Sequence, residues 1–198
     1  MKLYFSPGAC SLSPHIVATE AGIPLELVKV NLKEHKLESG EDFYKVNPKG
    51  YVPFLQLDDG ETLSEGPAIV QYLGDLKPEK HLIPQSGIGR YKVAEWLAFI
   101  NGEIHKSFGP LFGNGSDDVK NEARAKIQKR FDYVNDQLAG KQYLTGDTFT
   151  VADAYMFVMT TWAHHMKIDL PANLKHFFDR VSKRPAVHQA MKDEGLVK

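Results

Sequence analysis

The chain contains one cysteine, Cys10, in the stretch YFSPGACSLSPH. A free thiol can serve as a small apolar packing group or, ionised, as a nucleophile. Position points to the second use. PGACS reads as a turn from a strand into a helix, so unpaired backbone N–H groups and the positive end of the helix dipole would favour a thiolate. A lowered Cys10 pKa is therefore expected. Cys10-Ser11-Leu12-Ser13 has C-x-x-C spacing with serine in the second place, so any redox cycle at Cys10 must use an external thiol. His105 is the second candidate. At about 100° per residue, Asn101 and His105 share one flank of the apolar stripe Leu97, Ile100, Ile104, where a helix can face a cleft while its stripe packs. A partly buried histidine satisfied by a neighbour is the structural alternative. The eight histidines contain no H-E-x-x-H spacing, His164 and His165 are merely adjacent, and no Walker or G-x-G-x-x-G sequence occurs, so neither a metal nor a nucleotide is expected. Thr150 and Asp153 stand at capping-box spacing, with Asp in place of the usual Glu or Gln, and read as a stability device at a helix start.

These residues need elements to hold them. Lys2 to Phe5 reads as a strand, followed by a helix that starts near Ser13-Pro14 and stops at Gly22. Leu25 to Val30 is a second strand, and the strand, helix, strand unit implies a right-handed crossover with parallel strands. NPKG is a turn by composition, Phe54 to Leu57 a strand, Asp59-Gly60 a hairpin signal and Glu61 to Leu63 the returning strand. Ala68, Ile69, Tyr72, Leu73 and Leu76 then fall at helical spacing behind Ser64-Glu65-Gly66-Pro67. KPEKHLIPQSG reads as a linker, after which only helices follow. Val93, Leu97, Ile100, Ile104 and Leu111 make one long stripe, and Val119, Ala123, Ile127, Phe131, Val134 and Leu138 another. FTVADAYMFVMTTW is apolar nearly all round and should be the buried helix of the second half. The expected organisation is an α/β domain over 1–77, a linker over 78–86 and an all-α domain over 87–198.

Composition narrows the class. With 42% hydrophobic and 25% charged residues the 198-residue chain matches ordinary soluble globular proteins. A net charge of −1 lacks the basic footprint of a nucleic-acid binder. One cysteine excludes an internal disulfide, and the opening MKLYFSPG lacks the apolar run of a signal peptide, so a cytoplasmic protein is expected. No stretch approaches the roughly 20 apolar residues that span a bilayer.

The order of the first half, with its thiol after the first strand and Val-Pro before the third, resembles the thioredoxin fold. With the all-helical second half attached, the chain resembles a cytosolic glutathione transferase over essentially its full length. YFSPGACSLSPH, NPKGYVPFL, LSEGPAIVQYL, WLAFINGEIHKSF and FTVADAY carry the likeness together, and Cys10 with EIHK around His105 looks most like the bacterial beta class. The resemblance implies glutathione as co-substrate with no further cofactor, a homodimer, and detoxifying conjugation of the glutathione thiolate to small hydrophobic electrophiles. It implies a mixed disulfide between Cys10 and glutathione, and a cis Val52-Pro53 bond whose Val52 backbone pairs with the cysteinyl part of glutathione, in the manner of an added strand. Most Val-Pro pairs taken alone are ordinary trans turns. At SEGP, helix-start N–H groups at Gly66 suit the γ-glutamyl carboxylate and Glu65 its ammonium group. Many transferases carry Ser or Thr where this chain has Gly66. Ser11 would lie beside the glutathione sulfur and His35 beside the glycyl carboxylate, unless His35 is a surface histidine without a role. His105 would approach the sulfur with Gly102, Glu103 and Lys106 in the same turn, while Ala98 replaces an asparagine expected in bacterial relatives. An apolar pocket of the helical domain would take the electrophile. Two other functions remain open from the residues: a glutathione-dependent thiol-disulfide reductase, and a non-catalytic carrier of apolar ligands.

Overall fold

The computed structural model describes residues 1–198. Its contacts divide the chain into two units, Met1–Ile83 with Arg184–Lys198, and Pro84–Lys183.

In the first unit, β1 (Lys2–Phe5), α1 (Leu12–Ala21), β2 (Glu26–Asn31), β3 (Lys36–Leu37), β4 (Phe54–Gln56), β5 (Thr62–Ser64) and α2 (Gly66–Asp75) follow in chain order. The sheet order is β3-β2-β1-β4-β5. β1 and β2 pair in parallel and every other neighbouring pair is antiparallel, so the crossover inferred from strand, helix, strand is present. Two-residue β3 adds an edge strand that the sequence pattern did not announce, because two residues are too short for alternation to show. α1 begins at Leu12, ahead of the expected Ser13-Pro14, and Gly22 ends it at φ 68°. Pro14 thus occupies the third helical position, still within the turn whose N–H groups have no intrahelical acceptor. Leu12, Ile16, Leu55, Ile69 and Leu73 are sealed from solvent, and each such side chain contributes about 1.5–3 kcal/mol by leaving water. Tyr4, Val30, Phe43, Val52 and Phe54 form a second buried cluster.

The expected helical domain over 87–198 differs from the second unit at its end, because Arg184–Lys198 belong to the first unit. In the structure, α8 (Pro185–Asp193) packs on α1. Arg184 grips Glu20 at 2.6 and 3.0 Å, which ties the start of α8 to the far end of α1.

The second unit holds α3 (Gly87–Phe99), a π turn (Ile100–His105), α4 (Lys106–Phe112), α5 (Asp117–Gln137), α6 (Val151–His165) and α7 (Ala172–Ser182). The stripe expected to be one helix is thus interrupted. Val93, Leu97, Ile100 and Ile104 are all buried, but the wider π turn re-aims the residues from Asn101 to His105. Val119 departs from the second stripe and is exposed. α6 is buried along its first ten residues. At its start Thr150 and Asp153 form the full capping box, and Asp153 Oδ1 also accepts the Leu144 N–H at 2.8 Å. No helix is long and apolar enough to cross a membrane.

Candidate active site

The turn from β1 into α1 is braced internally. Ser11 is fully buried, its hydroxyl donating to the Ser6 carbonyl at 3.3 Å and accepting the Ser6 N–H at 3.2 Å. That side chain is therefore committed to the loop, and it is the Ser11 backbone N–H that lies against the Cys10 sulfur.

Cys10 does not have the lowered pKa expected from its place before a helix. Burial pushes the thiol up from its ordinary 9.0 to about 12, the Cys10 and Ser11 N–H groups pull it down by less, and the Glu65 carboxylate adds to the rise. Part of the residue's surface reaches solvent. Protein atoms nevertheless crowd the sulfur itself, and those surroundings set the cost of its charge. The helix start favours the anion as reasoned; desolvation is the larger effect. The S–H donates to the Val52 carbonyl at 3.3 Å.

Val52 is buried and its bond to Pro53 is cis, as the resemblance implied. Its N–H has no backbone acceptor. A Cβ on Gly66 would stand 3.9 Å from Pro53 Cγ, so the first residue of α2 lies close behind the proline with room for a small side chain. Glu65 precedes it at φ 71°, ψ 114°, a conformation that costs a side-chain-bearing residue about 1–3 kcal/mol. Lys49 and Tyr51 hold its carboxylate at 3.1 and 2.5 Å, and Lys49 also reaches the Ser64 hydroxyl at 2.9 Å. His35, at φ 51°, donates through Nδ1 to the Gly50 carbonyl at 3.0 Å and lies against Tyr44 with ring centroids 4.6 Å apart. Gly50 must be glycine: at φ 69° a Cβ would meet the Tyr44 ring at 2.3 Å.

In the helical unit the π turn presents His105. Its Nδ1 meets the hydroxyl of Tyr155 on α6 at 2.5 Å, and Tyr155 donates its proton to Asn101 Oδ1 at 2.9 Å. With that proton spent on Asn101, it is the Nδ1–H of His105 that donates to the Tyr155 oxygen. Asn101 and His105 are thus joined through a third residue. Trp162 lies edge-on to His105 at 4.9 Å and touches Phe108 and the exposed Phe112 at 5.5 and 5.0 Å. Glu103 turns to α5, where Arg130 clasps one oxygen through Nε and Nη2 at 3.0 and 2.7 Å and holds the carboxyl below its usual range. Gly102 and Lys106 are exposed.

The structure accordingly gathers Cys10, Ser11, Val52 and Pro53, with Glu65 and Gly66 close behind, in one unit. His105 stands on the other with its own partners. The residue reading missed Lys49, Tyr51, Tyr155, Trp162 and Arg130. Lys49 and Tyr51 sit inside NPKGYVPFL and Tyr155 inside FTVADAY, so the segments were legible, but no spacing rule says that a buried tyrosine bonds a histidine fifty residues away. No three His, Cys, Asp or Glu side chains converge as a metal site.

Residues 8–76 match the family described as glutathione S-transferase, N-terminal domain, and residues 93–185 that described as glutathione S-transferase, C-terminal domain. The chain is 45% identical to glutathione S-transferase GstA of Escherichia coli O157:H7, over 99% of its own length and all of the relative. A glutathione S-transferase of a sphingomonad, solved in complex with glutathione, superposes with a TM-score of 0.95 at 44% identity over the whole of both chains. A beta-class transferase of Sphingomonas chungbukensis gives 0.95 at 45% identity, again over both chains in full.

Proposed function

Since the chain belongs to the glutathione S-transferase family and resembles its bacterial beta class, we propose that it joins the thiolate of glutathione to small hydrophobic electrophiles, with glutathione held at the Cys10–Val52 corner of the first unit. The observation that carries the reading is the Cys10 thiol set 3.3 Å from the Val52 carbonyl, beside a Val52 N–H with no backbone acceptor. Those backbone groups suit the cysteinyl part of glutathione. The N–H groups at the start of α2 suit its γ-glutamyl carboxylate, Glu65 its ammonium group and His35 its glycyl carboxylate.

In the reaction, the glutathione sulfur attacks the electrophilic carbon and the leaving group, chloride in an aryl chloride, departs with the bonding pair. The N–H groups of Cys10 and Ser11 donate to the sulfur anion, and the Cys10 S–H joins them by turning away from the Val52 carbonyl, which is then free to accept the cysteinyl N–H of glutathione. The role proposed for His105, oriented by Tyr155, is general base for the thiol proton. Trp162 and Phe112 supply an aromatic wall for the electrophile. Cys10 enters covalent chemistry by exchange with glutathione disulfide: it gives up its proton, its sulfur bonds one glutathionyl sulfur, the old S–S bond breaks, and the second glutathione leaves with the bonding pair and takes up a proton as free thiol. The raised thiol favours conjugation over that exchange as the main activity. A homodimer in the cytoplasm, acting in detoxification, completes the proposal.

The test is glutathione conjugation to a generic aryl chloride, wild type beside Cys10→Ala. The expected result is turnover in wild type, with part of it kept in Cys10→Ala. No turnover in either protein refutes the conjugation reading.

A further inference from the structure

Beneath the Cys10 loop lies a buried charged cluster that catalysis, as described, does not use. The Glu194 side chain, just past α8, is wholly enclosed. One of its oxygens accepts the Gly8 N–H at 2.9 Å, and the other accepts from His15 Nδ1 at 3.0 Å. His15 is itself buried on α1, with Asp193 3.8 Å from its other ring nitrogen. Gly8 is at φ 71°, and a Cβ there would stand 3.4 Å from Leu196. The residues after α8 therefore reach the loop two positions before Cys10 through the Gly8–Glu194 hydrogen bond, and Leu196 leaves no open space for a larger residue at Gly8.

We propose that Glu194 is a positioning residue for the Cys10 loop: its enclosed carboxylate, fixed by His15, holds Gly8 and so sets the Cys10 sulfur against Val52. A packing helix could stop at the Arg184–Glu20 ion pair and its apolar face. A carboxylate kept dry needs strong compensation, and here half of that compensation is the backbone of the loop bearing the thiol. The inference rests on the reading of Cys10 as part of the glutathione site.

The experiment measures the rate of Cys10 alkylation by iodoacetamide at pH 8, and the KM and kcat for glutathione, in full-length wild type, Glu194→Ala, Glu194→Gln and Arg184→Ala. Releasing Gly8 lets water reach the sulfur and displaces the Cys10 and Ser11 N–H donors. Glu194→Ala should alkylate roughly tenfold faster and show a glutathione KM raised about tenfold. Glu194→Gln, which keeps an acceptor for Gly8, should stay near wild type. Arg184→Ala, which loosens the other end of α8, should also leave the thiol rate near wild type. If Glu194→Ala matches wild type, or Arg184→Ala moves the thiol as much as Glu194→Ala does, the proposal is overturned. Should Glu194→Ala fail to fold, Glu194→Asp, which withdraws the carboxylate by about 1.5 Å, must move both readouts the same way or the proposal fails. A separate control tests the underlying reading: S-methylglutathione should protect wild-type Cys10 from alkylation. Loss of that protection in wild type overturns the site assignment, whereas protection with an unmoved Glu194→Ala overturns the role of Glu194 alone.

Discussion

A thiol raised from 9.0 to about 12 makes a quantitative prediction for the free protein. At any pH below both values, roughly a thousandfold fewer molecules carry the thiolate than for an ordinary cysteine, a penalty of about 4 kcal/mol on ionisation. Thiolate is the reactive form. Alkylation of Cys10 by iodoacetamide, followed by mass between pH 7 and 9.5, should rise about tenfold per pH unit without a plateau. Its rate should lie about three orders of magnitude below that of the same chain unfolded in urea. Cys10 is the only alkylatable thiol, so the mass count is unambiguous. A plateau below pH 9, or a folded rate within tenfold of the unfolded one, would refute the claim that desolvation outweighs the helix-start N–H groups. The same shift has a consequence for stability. The unfolded chain releases this proton first, so the thiol's contribution is whole below pH 9 and declines by up to about 1.4 kcal/mol per unit as pH rises toward 12. The stability difference between wild type and Cys10→Ala in urea unfolding should stay constant below pH 9 and shift only in that alkaline window, with wild type losing ground.

Other perturbations have equally direct readouts. Tyr155→Phe removes the acceptor that His105 Nδ1–H uses and the donor to Asn101; losing a hydrogen bond to a cationic imidazolium at about 1.5–3 kcal/mol should lower kcat/KM for conjugation roughly 10- to 150-fold. A fall of less than twofold in folded Tyr155→Phe would show that the tyrosine does not orient the histidine. Asp153→Ala strands the Leu144 and Thr150 N–H groups and the Thr150 hydroxyl, each 2.8 Å from the carboxylate, and should cost about 3–6 kcal/mol in urea unfolding; a loss under 1 kcal/mol would contradict this. Gly66→Ser places its Cβ 3.9 Å from Pro53, so it should fold normally, and its added hydroxyl at the start of α2 should lower the glutathione KM, read from initial rates.

Most of the fold was legible because its signals are local. Strand alternation, Gly22, Asp59-Gly60 and the apolar run of α6 each act within a few residues. Four things were not legible, each for a physical reason. β3 is too short to alternate. The π turn has the same apolar residues as a continuous helix. The docking of α8 depends on Arg184 with Glu20 and Glu194 with His15, pairs separated by 164 and 179 residues. The state of Cys10 turned on the balance of two opposed effects. Sequence shows the helix start that favours charge, while the crowding that opposes it comes from segments such as Val52 that only the fold brings near.

That balance also explains how one corner can suppress one thiolate and stabilise another. Two backbone N–H groups stand at the Cys10 sulfur before any ligand arrives; the S–H is held by the Val52 carbonyl at 3.3 Å and becomes a donor to an incoming sulfur only by turning from that carbonyl. Desolvation falls on whichever group must give up water to enter. Cys10 bears that cost throughout the folded state and remains neutral. On the proposed reading a glutathione thiolate bears it only on binding, when its γ-glutamyl and glycyl ends would add contacts to α2 and His35 that a lone side chain lacks. A protonated Cys10 is then a third donor to the incoming sulfur, whereas an ionised one would repel it. On this account Cys10→Ser, which keeps a donor in the same place, should retain more conjugation than Cys10→Ala while losing thiol exchange just as completely. Equal conjugation rates in the two variants would show that the Cys10 proton plays no part.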